Sequence, residues 1–574
     1  MLAPLAAGSL VLGAAPAGAQ ALPDVPGCER ASEEAPLLVE VTTLAPRAPQ
    51  RADQPFQVSG RLVNCGREPL RGVEVRLGVG ERLDTRARVA RADEEPVVGR
   101  RVLVRDDDLA LPSGASRPFD LRLLTGELGL GRRNGVFPLT VQGRARVGEE
   151  SQRGQVGLAH TFVPWFPDTP IAPTRVAWVL PLVDAPHRGP GEVMLDDELD
   201  ARLEDDVDDR GRLQRALLSG TEGARGACDP TAAPPEGTPR DPSAGCRGEP
   251  VPMTYALDPD LLYSVEAMAR PGGYRVLEDG EPVDRDPSQN AEQWLVALRA
   301  AATSGSDVLA LPYGDPDVVA LTRTSSPVPD DVQTLRRLGG AETRRLLGAE
   351  PLTSVAWLPP GPVGGSVDAL AGGEVRTLVV DAAALPAPSV EAPFTPSART
   401  TLASTAGAID ALVVDDGLTR LLEPDPSSAT WQGARLAEQR WIAEAAALTA
   451  ERPSVSRTIV VAPPRDADLL ASLTIGAITD TGRLPFLCPV SLRSAAAGTE
   501  RCAPGGVFDD QDPAEAAPRG APLPPTDGDR ELDPEVVRAL GEVRAASDQF
   551  TDQVLLAGSE QAKAAKARLL RARG

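Results

Sequence analysis

The apolar pattern of this chain changes period once, near residue 170, and the switch separates two kinds of fold. Before it, residues 36–165 alternate apolar and polar side chains: Phe56, Val58, Gly60 and Leu62; Val73, Val75, Leu77 and Val79; Phe119, Leu121 and Leu123; Phe137, Leu139 and Val141; Val156, Leu158, His160 and Phe162. A period of two sends successive side chains to opposite faces of a strand. Such segments, divided by Gly, Pro and Asp clusters with no helical stretch between them, predict an antiparallel β-sandwich. His160 reads as a half-buried structural residue of one such strand. From Arg175 onward, short apolar runs alternate with helical patterns. The runs are Val176 to Val183, Met253 to Leu257, Val308 to Leu311, Val355 to Leu358, Val375 to Val380, Ala411 to Val414 and Thr458 to Ala462. Helical stretches include Leu195 to Leu218, Leu261 to Ala269, Ala291 to Ala302 and Ala434 to Leu448. Seven β runs with helices between them predict a parallel sheet, and their number favours a closed (βα)7-8-type barrel over an open one. No Gly-x-Gly-x-x-Gly follows a strand, so nucleotide binding lacks support.

The rest of the chain sets its boundaries. Residues 1–19 read as a signal peptide, an apolar run from Leu2 to Ala17 ending in the small-x-small pattern Ala17-Gly18-Ala19. A linker (20–35), the sandwich (36–165), the barrel-like domain (173–502), a second linker or loop (503–531) and a C-terminal helix (533–574) follow. That helix opens at Asp533-Pro534-Glu535, and Val536, Leu540, Val543, Ser547, Phe550 and Val554 mark one apolar face. Its basic end, with Lys563 and Lys566, suits a helix C-terminus. Six cysteines fit an oxidising, extracytoplasmic compartment. Cys228 and Cys246 bracket a Pro/Gly-rich excursion at 221–250, Cys488 and Cys502 bracket another, and Cys28 and Cys65 remain; sequential pairing is one of about 15 connectivities. Acidic residues (82) outnumber basic ones (59) for a net charge of −23, which excludes nucleic acid and anionic membranes as partners. After the signal no stretch approaches the length of a membrane span, so no transmembrane segment is expected.

Nearly every run of the second part ends in a carboxylate. Asp184 follows Leu180-Pro181-Leu182-Val183, Asp258 follows Tyr255-Ala256-Leu257, and Asp315 and Asp317 follow Leu311-Pro312-Tyr313-Gly314. Asp381 follows Val380, Asp415 and Asp416 follow Val414, and Arg465 follows Pro464. In a barrel these ends converge on one rim, where active sites are built. Asp258, Asp315 and Asp317 are the candidate catalytic carboxylates. Asp184, Tyr255, Tyr313, Trp357, Asp381, Asp415 and Arg465 are candidates for binding a polyhydroxylated ligand. Paired carboxylates suffice for glycoside hydrolysis. The same ring also arises without chemistry, because Asp258-Pro259-Asp260 and Asp315-Pro316-Asp317 both look like an Asp cap with Pro in the first helical turn. Only His160 and His187 are present, so a metal-dependent deacetylase with two closely spaced histidines is excluded. No metal and no cofactor is expected.

Two resemblances extend this reading. The run Gly60-Arg61-Leu62-Val63-Asn64-Cys65-Gly66, with Val73-Glu74-Val75-Arg76-Leu77, resembles immunoglobulin-like (Ig-like) adhesion modules of bacterial surface proteins. Those strands, with Trp178-Val179-Leu180-Pro181-Leu182, Tyr255-Ala256-Leu257-Asp258-Pro259-Asp260-Leu261-Leu262 and Leu311-Pro312-Tyr313-Gly314-Asp315-Pro316-Asp317, resemble the actinobacterial exported family called domain of unknown function 6049. Its genes commonly lie beside that of the lipid II flippase MurJ, and its members usually continue into further β structure and a membrane helix that residues up to 574 do not contain. The resemblance implies a barrel similar to the glycoside hydrolase/deacetylase group and carries no established activity. The expectation is an exported cell-envelope protein binding cell-wall glycan or its precursor at the carboxylate rim, with hydrolysis there as the enzymatic form of that reading. The alternative is a non-catalytic scaffold acting through contacts with envelope proteins such as peptidoglycan-precursor machinery.

Overall fold

The computed structural model describes residues 27–553 apart from 33, 168–170, 190–191, 207–209, 227–249, 323–325, 327–329, 360, 362, 364–365, 372, 386–393, 406, 424–430, 503–516, 518 and 520–531. Residues 1–19, read above as a signal peptide, lie outside the described residues, as do Cys228, Cys246, Val554 and both lysines.

The alternating segments form strands β1 (Leu37–Ala45), β2 (Pro55–Asn64), β3 (Leu70–Val79), β4 (Arg100–Leu111), β5 (Ser116–Leu124), β6 (Gly135–Val147) and β7 (Gly154–Trp165). They pair antiparallel in two sheets, ordered β1-β2-β5 and β4-β3-β6-β7. Alternate residues of both sheets share one core, with Val39, Phe56, Val58 and Leu121 on one side and Val75, Leu77, Leu139 and Val141 on the other. The expectation of no helix in this region is wrong. Helix α1 (Arg86–Glu94) interrupts it, capped by the Thr85 side chain, which accepts from the Arg88 N–H. Only Val89 of its nine residues is buried, so the segment carries no apolar stripe to announce it.

The second part contains, in chain order, β8 (Thr174–Leu182), β9 (Val193–Met194), α2 (Glu198–Leu203), α3 (Arg212–Gly226), β10 (Met253–Leu257), α4 (Pro259–Met268), β11 (Tyr274–Glu278), β12 (Glu281–Arg285), α5 (Gln289–Thr303), β13 (Asp307–Ala310), α6 (Val318–Leu321) and α7 (Asp331–Leu347). It continues with β14 (Val355–Trp357), α8 (Ser366–Ala371), β15 (Thr377–Val380), β16 (Arg399–Ser404), β17 (Gly407–Val413), α9 (Asp416–Arg420), α10 (Trp431–Glu451), β18 (Thr458–Val461), α11 (Ala471–Arg483), β19 (Leu487–Val490), α12 (Leu492–Ala497) and α13 (Pro534–Gln553). The single helix expected over Leu195 to Leu218 is instead α2 and α3. The chain turns at Gly211, where a Cβ would lie 2.2 Å from the Ala201 carbonyl oxygen.

Parallel ladders give one sheet ordered β13-β10-β8-β18, with β19 also on β8, and another ordered β14-β15-β17, with β16 antiparallel at its edge. The two sheets meet at both margins. Val414 bridges Val460, and the Leu352 N–H donates to the Val308 carbonyl (2.7 Å) beside β13. Val179, Ala256, Leu309, Trp357, Val379, Leu412 and Val460, one from each of β8, β10, β13, β14, β15, β17 and β18, pack into one core. Their neighbours of opposite parity, such as Trp178, Tyr255 and Ile459, pack outward with residues of the surrounding helices.

Helix α10 lies between the two parts and is buried nearly all round. Trp441, Ile442, Ala446 and Leu448 are fully covered, and so nearly are Glu438, Gln439, Arg440 and Glu444. The Gln439 amide donates to the Arg47 and Phe162 carbonyls (2.9 Å each), tying the helix to the sandwich. Disulfides join Cys28 to Cys65 (Cα–Cα 5.4 Å) and Cys488 to Cys502 (5.7 Å). Among the described residues no helix is long and apolar enough to cross a membrane.

Two adjacent glycines of α7 allow a sharp test of its seat. A Cβ at Gly339 would lie 2.3 Å from the Leu311 carbonyl oxygen, whereas at Gly340 it would make an ordinary 3.7 Å contact with Thr353. Gly339→Ala is expected to cost about 1–3 kcal/mol by overpacking. Gly340→Ala should be neutral or gain up to about 1 kcal/mol from helix propensity. Urea unfolding of both variants checks the contrast; equal effects would refute the close approach.

Candidate functional site

Strand β10 runs directly into Asp258, and Pro259 opens α4 behind it. The Asp258 carboxylate accepts the Asp260 N–H (2.9 Å) and reaches across to accept the Gly314 N–H (3.0 Å) after β13. Gly314 and Asp315 both adopt positive φ, 78° and 39°. That conformation is ordinary for glycine and uncommon for aspartate. Arg465, following β18, holds Asp315 through its Nε and donates to the Trp357 carbonyl (2.9 Å), with its guanidinium 4.5 Å from the Trp357 ring centroid. Asp260 accepts from Arg188 (2.6 Å) and from the Tyr313 hydroxyl. Asp184, ending β8, pairs with Arg212 (3.0 Å), and Arg212 also donates to the Val183 carbonyl (2.5 Å) and the Arg465 carbonyl (3.4 Å). His187 is buried with its Nδ1 2.8 Å from Asp196 and its Nε2 3.8 Å from Asp184.

Environment sets these carboxyl groups far apart. Burial, with the charges of Asp260 and Asp315 beside it, pushes Asp258 up to about 8 despite its two N–H bonds. Burial acts the same way on Asp184, but the His187 bond and the Arg212 charge outweigh it and bring Asp184 down to about 2. Burial works to lower His187, yet Asp184 and Asp196 raise it above its ordinary value. Asp258 and Asp184 are thus pushed in opposite directions, a divergence of the kind acid–base chemistry uses. Asp260 and Asp315, however, are each engaged by a guanidinium.

The structure thus gathers Asp184, Asp258, Asp315, Tyr313, Trp357 and Arg465 through one chain of contacts. It places the other candidates elsewhere. Tyr255 points away from the strand core, because its neighbour Ala256 faces inward; a Cβ on Gly220 of α3 would lie 2.5 Å from its hydroxyl. Asp317, not Asp315, caps the following helix, accepting the Ala320 N–H (2.9 Å) and, from the other oxygen, the Leu532 N–H (2.9 Å). Asp381 accepts the Ala383 N–H (2.7 Å). Asp415 caps α9 and takes both arms of Arg86 from the sandwich helix (2.6 and 2.7 Å). A cavity of ≈390 Å³ beside it is lined by Arg86, Ala382, Pro396, Asp416, Gly417 and Arg420 among others. Sequence reasoning missed Arg86, Arg188, Arg212 and Asp196. Only Arg188 and Asp196 carried a signal, flanking the strand end at Asp184. Among the described residues no group of three or more His, Cys, Asp or Glu side chains is placed to hold a metal ion.

This is a two-part β and α/β protein whose strand-end carboxylates are bound to its own N–H groups and guanidiniums. The chain belongs to a family of unknown function, DUF6049, whose model matches residues 1–573. No curated protein sequence matches it. Among solved structures, a 4-alpha-glucanotransferase from Thermococcus litoralis is similar at 11% identity and TM-score 0.37, over 58% of this chain and 41% of that one. The sporulation control protein Spo0M from Bacillus subtilis is similar at 10% identity and TM-score 0.16, over 23% of this chain and 49% of that one. A CARDB domain from Pyrococcus furiosus is similar at 12% identity and TM-score 0.15, over 23% of this chain and 94% of that one.

The state of Asp258 is testable through stability. Its folded pKa lies above the ordinary aspartate value near 3.9, so the stability it contributes is present below about pH 4 and is lost as pH rises towards 8. Asp258→Asn keeps an accepting oxygen without the titration. The variant should gain on wild type across that window by up to about 1.4 kcal/mol per pH unit in urea unfolding. A pH-independent difference would refute the elevated pKa.

Proposed function

We propose that this chain is an exported cell-envelope protein that joins an Ig-like sandwich to a (βα)7-8-type barrel and acts as a non-catalytic scaffold through protein–protein contacts. The observation that carries this reading is the commitment of the strand-end carboxylates. Asp258, Asp317 and Asp415 accept helix N–H groups, while Asp184, Asp260, Asp315 and Asp415 are bound by Arg212, Arg188, Arg465 and Arg86. Glycosidase carboxyl pairs need room for a sugar, and in retaining and inverting enzymes stand about 5–9.5 Å apart across it. Here Asp184, Asp260 and Asp315 are each engaged by one of the chain's own guanidiniums. The strand order β1-β2-β5 against β4-β3-β6-β7 supports the Ig-like assignment. The shared core of seven strands, bridged at both margins, supports the barrel. Two disulfides and the apolar stretch from Leu2 to Ala17 support export.

One observation favours a second reading, glycan binding or hydrolysis at the same mouth. Asp258 is pushed up to about 8 by burial and by the neighbouring Asp260 and Asp315, the direction in which a general acid is tuned. Incubating wild type and Asp315→Asn with muropeptides and arabinogalactan fragments separates the two. The scaffold reading predicts no product from either protein by mass spectrometry. Turnover by wild type that Asp315→Asn abolishes would overturn it.

A further inference from the structure

A second cavity lies on the outer face of the sandwich, away from every strand-end carboxylate. Its floor follows from strand parity. Val75, Leu77 and Val141 face the core, so Arg76 and Gly78 of β3 and Thr140 and Gln142 of β6 face outward. The ladder sets Arg76 opposite Gln142 and Gly78 opposite Thr140. Along the other edge of β3 the register with β4 shifts between Leu77 and Gly78, which is where an edge strand bends. The segment Val98 to Arg101 forms the wall above this bend, and the solvent-open cleft has a volume of ≈430 Å³.

Two glycines let the chain pack closely beside this cavity. A Cβ on Gly78 would lie 2.7 Å from the Thr140 hydroxyl and 3.1 Å from the Gly99 carbonyl, and one on Gly99 would lie 2.2 Å from the Val79 backbone. The floor is nonetheless polar: Thr140 is 2% exposed and Gln142 8%. The Thr140 hydroxyl has a long 3.5 Å bond to the Gly78 carbonyl, which leaves it able to engage another group. Arg76 is steadied by Glu74, and Arg101, opposite Gly78, stands exposed at the rim; Arg100, opposite the core residue Val79, turns to the other face and donates to the Leu128 carbonyl (2.8 Å). Two guanidiniums, Arg76 and Arg101, face this cavity in a chain of net charge −23, the first paired with Glu74 and the second exposed.

We propose that this cavity binds an anionic sugar, with Arg101 and Arg76 taking a carboxylate or phosphate, the Thr140 hydroxyl taking a sugar hydroxyl, and Gln142, whose amide N–H donates to Gln155, offering its carbonyl oxygen to another. Guanidinium forks match the planar or tetrahedral oxyanion, hydroxyl and amide side chains both donate and accept, and the volume suits a small ligand. The assignment does not depend on the scaffold reading.

Isothermal titration of the full chain with glucuronate, glucose 1-phosphate, inorganic phosphate and glucose tests it. The ranking of glucuronate against glucose 1-phosphate tells carboxylate from phosphate as the anchoring group. At least one of these anionic sugars should bind about tenfold more tightly than glucose or inorganic phosphate. Arg101→Ala should weaken that binding about fivefold or more, and Thr140→Val should weaken the sugar without changing inorganic phosphate. Arg117→Ala, on β5 of the other sheet, should leave it unchanged. Absence of saturable binding by both anionic sugars would overturn the proposal. So would inorganic phosphate binding as tightly as the sugars, or equal losses in Arg101→Ala and Arg117→Ala.

Discussion

Helix α10 can lie between the two parts of this protein only if every charge it carries inward meets a partner. An ion moved from water into a protein interior loses several kcal/mol of solvation unless it is paired and hydrogen-bonded. Arg86 answers part of this demand. It leaves the sandwich on α1, takes Asp415 with both arms, and donates to Glu444 of α10 (2.6 Å). Arg440 then joins Glu444 (2.6 Å) to Asp93 (3.0 Å), which also meets His160 (3.1 Å). Arg47 spans Glu438 and Asp480. Asp480 feels the balance: burial pushes it up, the Arg47 charge pulls it down, and the Glu438 charge raises it again. The two parts are therefore joined by ionic contacts as well as by apolar packing.

Much of the architecture was legible in the apolar pattern because burial on two faces and burial on one leave different periods. Met253 to Leu257 and Thr458 to Val461 are strands buried on both faces and show as continuous runs. Phe56 and Val58 alternate with more exposed neighbours because β2 has only one side in the core. Elements that bury little were silent. Helix α1 contributes one residue to a core, and the hairpin β11–β12 buries only Val276 among its ten residues. Strand β14 is three residues long and was visible only because Val355 and Trp357 flank a small Ala356.

The candidate site was legible in part, for a physical reason that runs through the whole family of strand-end aspartates. An aspartate after a parallel strand serves a helix N-terminus or a ligand equally well, and its neighbours in sequence are the same in both cases. What separates the two is a cation from a remote segment. Arg86 lies 329 positions from Asp415, and Arg465 lies 150 from Asp315. Neither pairing leaves a local trace. The parity of Tyr255, by contrast, was readable: Ala256 is the small inward residue, so Tyr255 had to face the helices.

If the carboxylates belong to the fold rather than to a substrate, the energy of Asp415 must be coupled to Arg86. A double-mutant cycle of Arg86→Ala, Asp415→Ala and the pair, followed by urea unfolding at pH 7, measures that coupling directly. The account predicts a coupling of about 2–3 kcal/mol, near the upper end for contacting residues. Additive losses within about 0.5 kcal/mol would contradict it, because Asp415 would then stand free of Arg86 and open to another partner.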